Sequence, residues 1–546
     1  MRKKRGESKL NENEIGNLIL LAALLFGTLF RFFPSWLAGF PINDGGMFYT
    51  MMKDLQASHF IPPVFTTYNN LNIPFAYPPL ALYIGAGISS LFNVSLIKIL
   101  QWLPPLINSL CVLFFYFFAH EVLEDKLKST IATLIFTFTP HLNTWLSAGG
   151  GLTRSFGTLF MMLTVMYAYR LFAKNNSKAI LGVIIFGSLT VLSHTESTIF
   201  AIALPIYIWI SKSRSAKSAL QGGLIATGVL VLAGPWYGWI IYKHGFETLL
   251  SALTTGGQTI WSVLRLINVD IITEEPYLDL LGVFGILGMT FLVIKKEYFI
   301  PLMLVVIFLV EPRSAHTIGN IPLAMAGGIF LADTLLPALG KVGEEQNPNN
   351  SRGIKIFLII SIPYLLVNSI YQGYMLSQNH LSKSEQTAMT WIKENTPEDS
   401  QFLMITGEPE AMCDSSAEWF PALTERKSLS TLQGREWILG RKFGEFIGHK
   451  SGIQNCIDKG LDCLKHESNY FGADYDYIYI SIQTPTNNCQ STETSARTTS
   501  GLIAALEAEG KQEYSIKYRS EKIILFEKKI IKNKKSHSLH GLYLKL

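Results

Sequence analysis

The chain has 546 residues, 49% of them apolar and 16% charged, with a formal net charge of +5. The charge is uneven: 25 of 46 Lys and Arg and 19 of 41 Asp and Glu fall in residues 1–375, so charged residues are about 12% of that part and about 25% of residues 376–546. This excludes a string of ordinary soluble domains, and because the basic excess lies in the apolar part it gives no reason to expect a nucleic-acid partner.

Met1–Lys9, with five Lys and Arg, leads into an apolar run ending in Phe30-Arg31-Phe32-Phe33. With no small-residue cleavage site, this reads as an uncleaved anchor. Apolar runs then follow at 99–120, 129–147, 155–173, 179–194, 196–210, 219–242, 277–294, 298–311, 320–337 and 354–375, which with 16–33 make eleven candidate spans. Pro78–Phe92, opened by Pro-Pro and holding two Gly, is too short for a crossing and suits a membrane-lying or re-entrant helix. With the N-terminus inside, the cytoplasmic loops carry 18 Lys and Arg, and the longer outer loops before residue 376 carry 6. Eleven crossings place residues 377–530 outside as an α/β domain, followed by a basic tail at 531–546 in a solvated end.

In that domain Ser384–Asn395 is predicted as an amphipathic helix, Gln401–Thr406 and Tyr477–Ile482 as strands, and Thr499–Glu509 as a helix. Glu513–Tyr518 with Lys522–Glu527 reads as a closing hairpin. Cys413, Cys456, Cys463 and Cys489 fall there too, enough for two disulfides in three connectivities, with Cys456 and Cys463 the natural local pair. His449, Cys456, Cys463 and His466 match no common zinc spacing.

The spans themselves are nearly free of ionisable residues, Arg31 and Asp333 lying near span ends, so chemistry is sought in the outer loops. The long loop 34–98 holds Asn43-Asp44-Gly45-Gly46 before an amphipathic helix over Met47–His59. Asp44 either N-caps that helix or is a carboxylate held at the water–lipid boundary as a base or metal ligand. Gly149-Gly150-Gly151-Leu152-Thr153-Arg154 joins glycine backbone at a helix start to a guanidinium, a pattern suited to phosphate oxygens; a flexible turn with a snorkelling Arg154 is the plainer reading. His194 and Glu196 sit in the turn between the fifth and sixth spans, where a capped helix hairpin also accounts for them. Arg313, assisted by His316, is a candidate phosphate ligand, with an interfacial anchor as the alternative. Loop 243–276 adds His244, Glu247, Arg265, Asp270, Glu274 and Glu275. Under the charge-derived topology Asp44, Arg154, His194, Glu196, Arg313 and His316 all map to one membrane face.

The order of parts resembles the GT-C class of integral-membrane glycosyltransferases, among them oligosaccharyltransferase catalytic subunits, protein O-mannosyltransferases and lipid A aminoarabinose transferases. The resemblance rests on Asn43–Tyr49 in the first outer loop, Ala76-Tyr77-Pro78-Pro79-Leu80, the segment Thr139-Pro140 through Arg154, and the C-terminal α/β part. It implies a polytopic helical membrane enzyme that moves a sugar, with inversion, from a polyprenyl-phosphate or polyprenyl-diphosphate donor to a glycan, lipid or protein acceptor at the extracytoplasmic face. Asp44 would be the catalytic carboxylate and Arg313, Arg154 and His316 the donor-phosphate ligands. Glu196 or His194 would be a second acid or metal partner, with Mg or Mn as the candidate ion. Two oligosaccharyltransferase features are missing: a second acidic motif in the second outer loop and a Trp-Trp-Asp-Tyr-Gly segment. Trp391, Trp419 and Trp437 are candidates for sugar stacking, with core packing as the plainer role. A transporter or flippase of lipid-linked saccharides, or a non-catalytic membrane assembly protein, would fit the composition too.

Overall fold

A computed structural model describes residues 12–254, 273–341, 351–472, 474–482 and 500–529. Met1–Lys9, Arg265, Asp270, Cys489 and the tail from 531 therefore lie outside the described residues.

The chain divides into two units. The first comprises residues 1–68, 72–381 and 434–444, and the second residues 69–71, 382–433 and 445–546. Residues 434–444 belong to the first unit, where Gly434 packs on Ile73 so tightly that a Cβ there would lie 2.4 Å from the Ile73 side chain.

The helical unit runs α1 (Glu12–Ala38), α2 (Gly46–Ala57), α3 (Leu80–Phe92), α4 (Leu96–Leu123), α5 (Lys126–Phe138), α6 (His141–Ser147), α7 (Gly151–Phe172), α8 (Ala179–Val191), α9 (Thr195–Lys212), α10 (Ala216–His244) and α11 (Phe246–Thr254). Then come α12 (Leu280–Ile294), α13 (Phe299–Val310), α14 (Ala315–Phe330) and α15 (Arg352–Ser377). Among the described residues six helical segments are long and apolar enough to cross a bilayer: Asn13–Ala38, Leu96–Leu123, Gly151–Phe172, Ala216–His244, Ala315–Gly340 and Arg352–Ser377. They cover six of the eleven expected spans. The expected continuous span 129–147 is interrupted: Pro140 disfavours helical backbone at the residue before it, Thr139 is extended (φ −70°, ψ 115°), and the run divides into α5 and α6. α3, at 13 residues, rises about 20 Å, short of the roughly 30 Å of bilayer hydrocarbon.

The long loop after α1 is ordered by polar contacts rather than by length of helix. Asp54, buried near the end of α2, accepts from Thr66 Oγ1 (2.6 Å), Thr67 N (2.9 Å) and Thr67 Oγ1 (2.7 Å). Gln56 donates to Ala86 O at 3.2 Å, tying α2 to α3, and Leu80 N donates to Leu192 O at 2.9 Å, tying the start of α3 to the α8–α9 turn.

In the second unit β3 (Gln401–Ile405) and β5 (Tyr477–Ser481) are parallel neighbours, with β4 (Lys427–Ser428) parallel on the other side of β3. The antiparallel pair β6 (Tyr514–Arg519) and β7 (Ile523–Lys528) completes the order β4-β3-β5-β7-β6; the two-residue strands Phe65–Thr66 (β1) and Ile73–Pro74 (β2) belong to the loop. Both expected strands, the closing hairpin and the helices Lys383–Asn395 and Ser500–Ala508 are present. β3 and β5 are buried almost throughout, as their unbroken apolar runs require. Cys456 and Cys463 form a disulfide, which removes the zinc reading of that segment, while His449 pairs with Glu467 at 3.2 Å. Trp419 is fully buried and Trp391 packs on Tyr518 with ring centroids 5.1 Å apart.

Candidate active site at one end of the helical unit

Asp44 sits on a short segment fixed from both sides. Asn43 takes left-handed backbone (φ +55°), its N–H donates to Asn379 O at 2.6 Å, and Asn379 Nδ2 donates back to Asn43 Oδ1 at 3.2 Å. Gly45, at φ +126°, then turns the chain into α2. Asp44 is not the cap of that helix: Gly45 holds the cap position, and no side-chain cap bond is made there. The Asp44 carboxylate points elsewhere, its Oδ1 accepting from the backbone N–H of Gly150 at 2.8 Å, where α7 begins. An anion is favoured at that end of a helix.

The glycine triplet is explained by this approach. A Cβ on Gly149 would stand 2.1 Å from Asp44 O, one on Gly150 would stand 2.2 Å from Asp44 Oδ2, and one on Gly151 would stand 2.5 Å from Trp145 O. The three N–H groups are already used: Gly149 donates to Ile42 O (2.9 Å), Gly150 to Asp44, and Gly151 to Ala148 O (3.0 Å). The expected phosphate cradle is therefore corrected. These glycines receive a carboxylate of the chain itself.

One turn into α7, the Arg154 guanidinium lies over the Trp145 ring at 5.3 Å, and its Nη1 is buried without a hydrogen-bond partner among the described residues. Farther along α7, a Cβ on Gly157 would be 2.6 Å from His194 Cβ, so the α8–α9 turn presses directly on this helix. His194 Nδ1 accepts from Ser197 N at 3.5 Å and caps α9, the plainer of its two readings. Glu196, in the first turn of α9, reaches the turn that leads into α14: its Oε1 is 3.5 Å from Arg313 Nε, and its other oxygen accepts from the Ser314 hydroxyl. The Arg313 side chain keeps 41% exposure, so this pair leaves guanidinium surface open.

His316 joins a neighbouring cluster rather than the Glu196–Arg313 pair. Its ring packs edge-on against His141, centroids 5.2 Å apart. His141 Nδ1 lies 2.8 Å from Glu274 Oε1, and its Nε2 is 3.0 Å from Thr317 Oγ1. Among the described residues no three His, Cys, Asp or Glu side chains converge as a metal-binding group.

Two contributors escaped sequence reading. Glu436 lies on Gly434–Gly444; burial pushes its carboxyl up to about 7, against the opposing pull of backbone hydrogen bonds and of the Arg313 charge. Tyr77 packs edge-on against Phe48 (4.8 Å) and Trp437 (6.2 Å); burial raises its hydroxyl, with Arg154, Glu196 and Glu436 all within electrostatic reach. Trp437 is thus buried against Tyr77, a packing role. Ala76-Tyr77-Pro78-Pro79 did carry part of the resemblance, but nothing local marks Glu436.

Residues 76–239 match the family model described as dolichyl-phosphate-mannose-protein mannosyltransferase. The fold is similar to that of ArnT from Cupriavidus metallidurans bound to undecaprenyl phosphate, at 11% identity and a TM-score of 0.54 over 94% of this chain and 98% of that one. The chain has a GT-C fold, with a match to a glycosyltransferase family model over residues 76–239. The archaeal oligosaccharyltransferase AglB from Archaeoglobus fulgidus, in complex with an inhibitory peptide and a dolichol-phosphate, is similar at 14% identity and a TM-score of 0.52, covering 87% of this chain and 70% of that chain. The arabinofuranosyltransferase AftD from Mycobacteria is similar at 12% identity and a TM-score of 0.52, over 95% of this chain and 40% of that one. No curated protein sequence matches the chain.

Proposed function

We propose that this GT-C chain transfers a sugar from a polyprenyl-phosphate or polyprenyl-diphosphate carrier to an acceptor at the extracytoplasmic membrane face. The observation that carries this reading is the placement of the Asp44 carboxylate at the start of α7, one turn from Arg154, in the unit that also joins Arg313 to Glu196. The carrier named in the similar ArnT structure and the excess of Lys and Arg on the other set of loops support it.

In the proposed reaction Asp44 accepts the proton of an acceptor hydroxyl. That oxygen forms a bond to the anomeric carbon as the bond from that carbon to the phosphate oxygen breaks, with inversion. The leaving phosphate gains charge as the bond opens, and Arg313 and Arg154 are the groups that would stabilise it. Holding Asp44 by a backbone N–H fixes its direction before the acceptor arrives. A carrier with a long apolar tail stays in the bilayer, so the reacting phosphate has to be met at headgroup depth. Glu196 holds Arg313 in place, and His316 acts through the His141 cluster. The glycan, lipid or protein nature of the acceptor is the variable part of this reading.

The test is sugar transfer by the purified full-length protein in liposomes, using synthetic undecaprenyl- and dolichyl-phosphate sugars and a mixed set of glycan, lipid and peptide acceptors. Transfer that is abolished in Asp44→Asn is expected. Carrier-dependent transfer that persists unchanged in that variant would remove the catalytic assignment.

A further inference from the structure

Arg31 is a fully buried cation inside α1 that makes no ion pair among the described residues, and the proposed chemistry does not use it. Such a group is costly in a membrane helix unless its donors are met. Its Nε donates to Asn108 Oδ1 on α4 (3.0 Å) and its Nη1 to Gly27 O (3.1 Å) and Thr137 O (3.3 Å), while Nη2 is buried without a partner among the described residues. The first of these bonds decides how Asn108 stands: with Oδ1 taken by a donor-only guanidinium, the amide nitrogen must face the other way. Asn108 Nδ2 then donates to two points on α6, Leu142 O at 3.1 Å and Ser147 Oγ at 3.0 Å. Ser147 Oγ donates to Asn143 Oδ1 at 2.6 Å, and Asn143 Nδ2 returns to α1 at Phe30 O, 3.0 Å away.

Every member of this circuit is polar in an apolar bundle, and it ends where the glycine turn begins. Two and three residues after Ser147, the N–H groups of Gly149 and Gly150 hold Ile42 O and the Asp44 carboxylate. α6 is only 7 residues long and has no side-chain cap at its start, so its own helical bonds do little to fix its end. We infer that Arg31 and Asn108 are positioning residues for Asp44, acting through α6 and the Gly149–Gly150 amides. The inference rests on the assignment of Asp44 above.

The experiment compares Asn108→Leu, Arg31→Met and Arg31→Lys with Gln101→Leu, in the full-length protein in nanodiscs. Gln101 is the control because its Nε2 makes a buried α4-to-α1 bond of the same kind, to Ser35 O at 2.8 Å, without reaching α6. Amide hydrogen exchange of a peptide spanning Gly149 and Gly150 is read together with kcat, KM for the carrier, and thermal stability. Asn108→Leu is expected to raise exchange at the glycine turn at least tenfold and to lower kcat at least tenfold with KM within twofold. Gln101→Leu should lose similar stability while leaving both readouts near wild type. Arg31→Lys should recover part of the protection that Arg31→Met loses, which keeps the test informative if Arg31→Met fails to fold. Equal exchange at the turn in Asn108→Leu and wild type, or equal loss of kcat in the Gln101 control, overturns the inference. Faster exchange at the turn with unchanged transfer, in a protein whose Asp44→Asn variant is also active, would instead defeat the catalytic reading of Asp44.

Discussion

Asp44 and Gly150 touch through a carboxylate oxygen and a backbone N–H 2.8 Å apart, and a methyl group on Gly150 would stand 2.2 Å from the other carboxylate oxygen. The residue that offers the hydrogen bond also has to be the one without a side chain. Gly150→Ala is therefore expected to push the carboxylate aside while leaving the helices in place. A displacement of about 1 Å at a reacting group costs on the order of 10²-fold, so kcat should fall by about that factor with little change in carrier KM. Steady-state transfer kinetics on protein of unchanged helical content checks this.

Glu196 and Arg313 link α9 to the turn that leads into α14, and Arg313 remains partly exposed. Arg313→Ala is expected to lower kcat/KM by about 10²-fold, as for other groups that stabilise developing charge, and Arg313→Lys to recover only part, since an ammonium lacks the planar fork. Glu196→Gln should cost less, because it loosens Arg313 without removing it. Transfer assays at several carrier concentrations distinguish these outcomes.

Glu436 supplies a pH dependence. Its carboxyl is held at about 7 against an ordinary value of 4.5, so folding favours the neutral form: the associated stability is present below about 4.5 and is lost as pH rises through about 7. Thermal unfolding temperatures should fall over that window in the wild type, and the fall should be smaller in Glu436→Gln. Above about 7 the ionised carboxylate also competes for Arg313, so carrier KM should rise there in the wild type and stay level in the variant.

The Cys456–Cys463 bridge closes a short loop in the second unit. A loop this small constrains the unfolded chain by about 2–3 kcal/mol, so Cys456→Ser is expected to destabilise that unit by about this amount. Protease resistance of residues 445–472, with and without reductant, measures it, and transfer activity per folded molecule should change little.

Much of the architecture was readable because it is written in local periodicity. Apolar runs of bilayer length gave α1, α4, α7, α10 and α15, and unbroken runs of four apolar residues gave β3 and β5, since burial on both faces demands them. The break at Thr139-Pro140 was also present in the residues, but hydropathy alone runs across it. For Asp44, sequence left capping and chemistry equally open; both need a short carboxylate before a helix, and only the direction of the side chain separates them. The glycine triplet was visible as backbone freedom, but whether that freedom admits a ligand or another part of the chain depends on what stands opposite.

By itself, then, the sequence determined a two-part chain, a succession of apolar helices and polar loops, and the set of polar residues available in those loops. Those properties follow from composition and from spacing over tens of residues. Tertiary structure decided that Asp44 meets Gly150, that Glu196 meets Arg313, that His316 belongs with His141, and that Glu436 joins the helical unit. Hydrogen bonds and ion pairs act over about 3–4 Å, and such distances between residues far apart in the chain are set only when the helices pack.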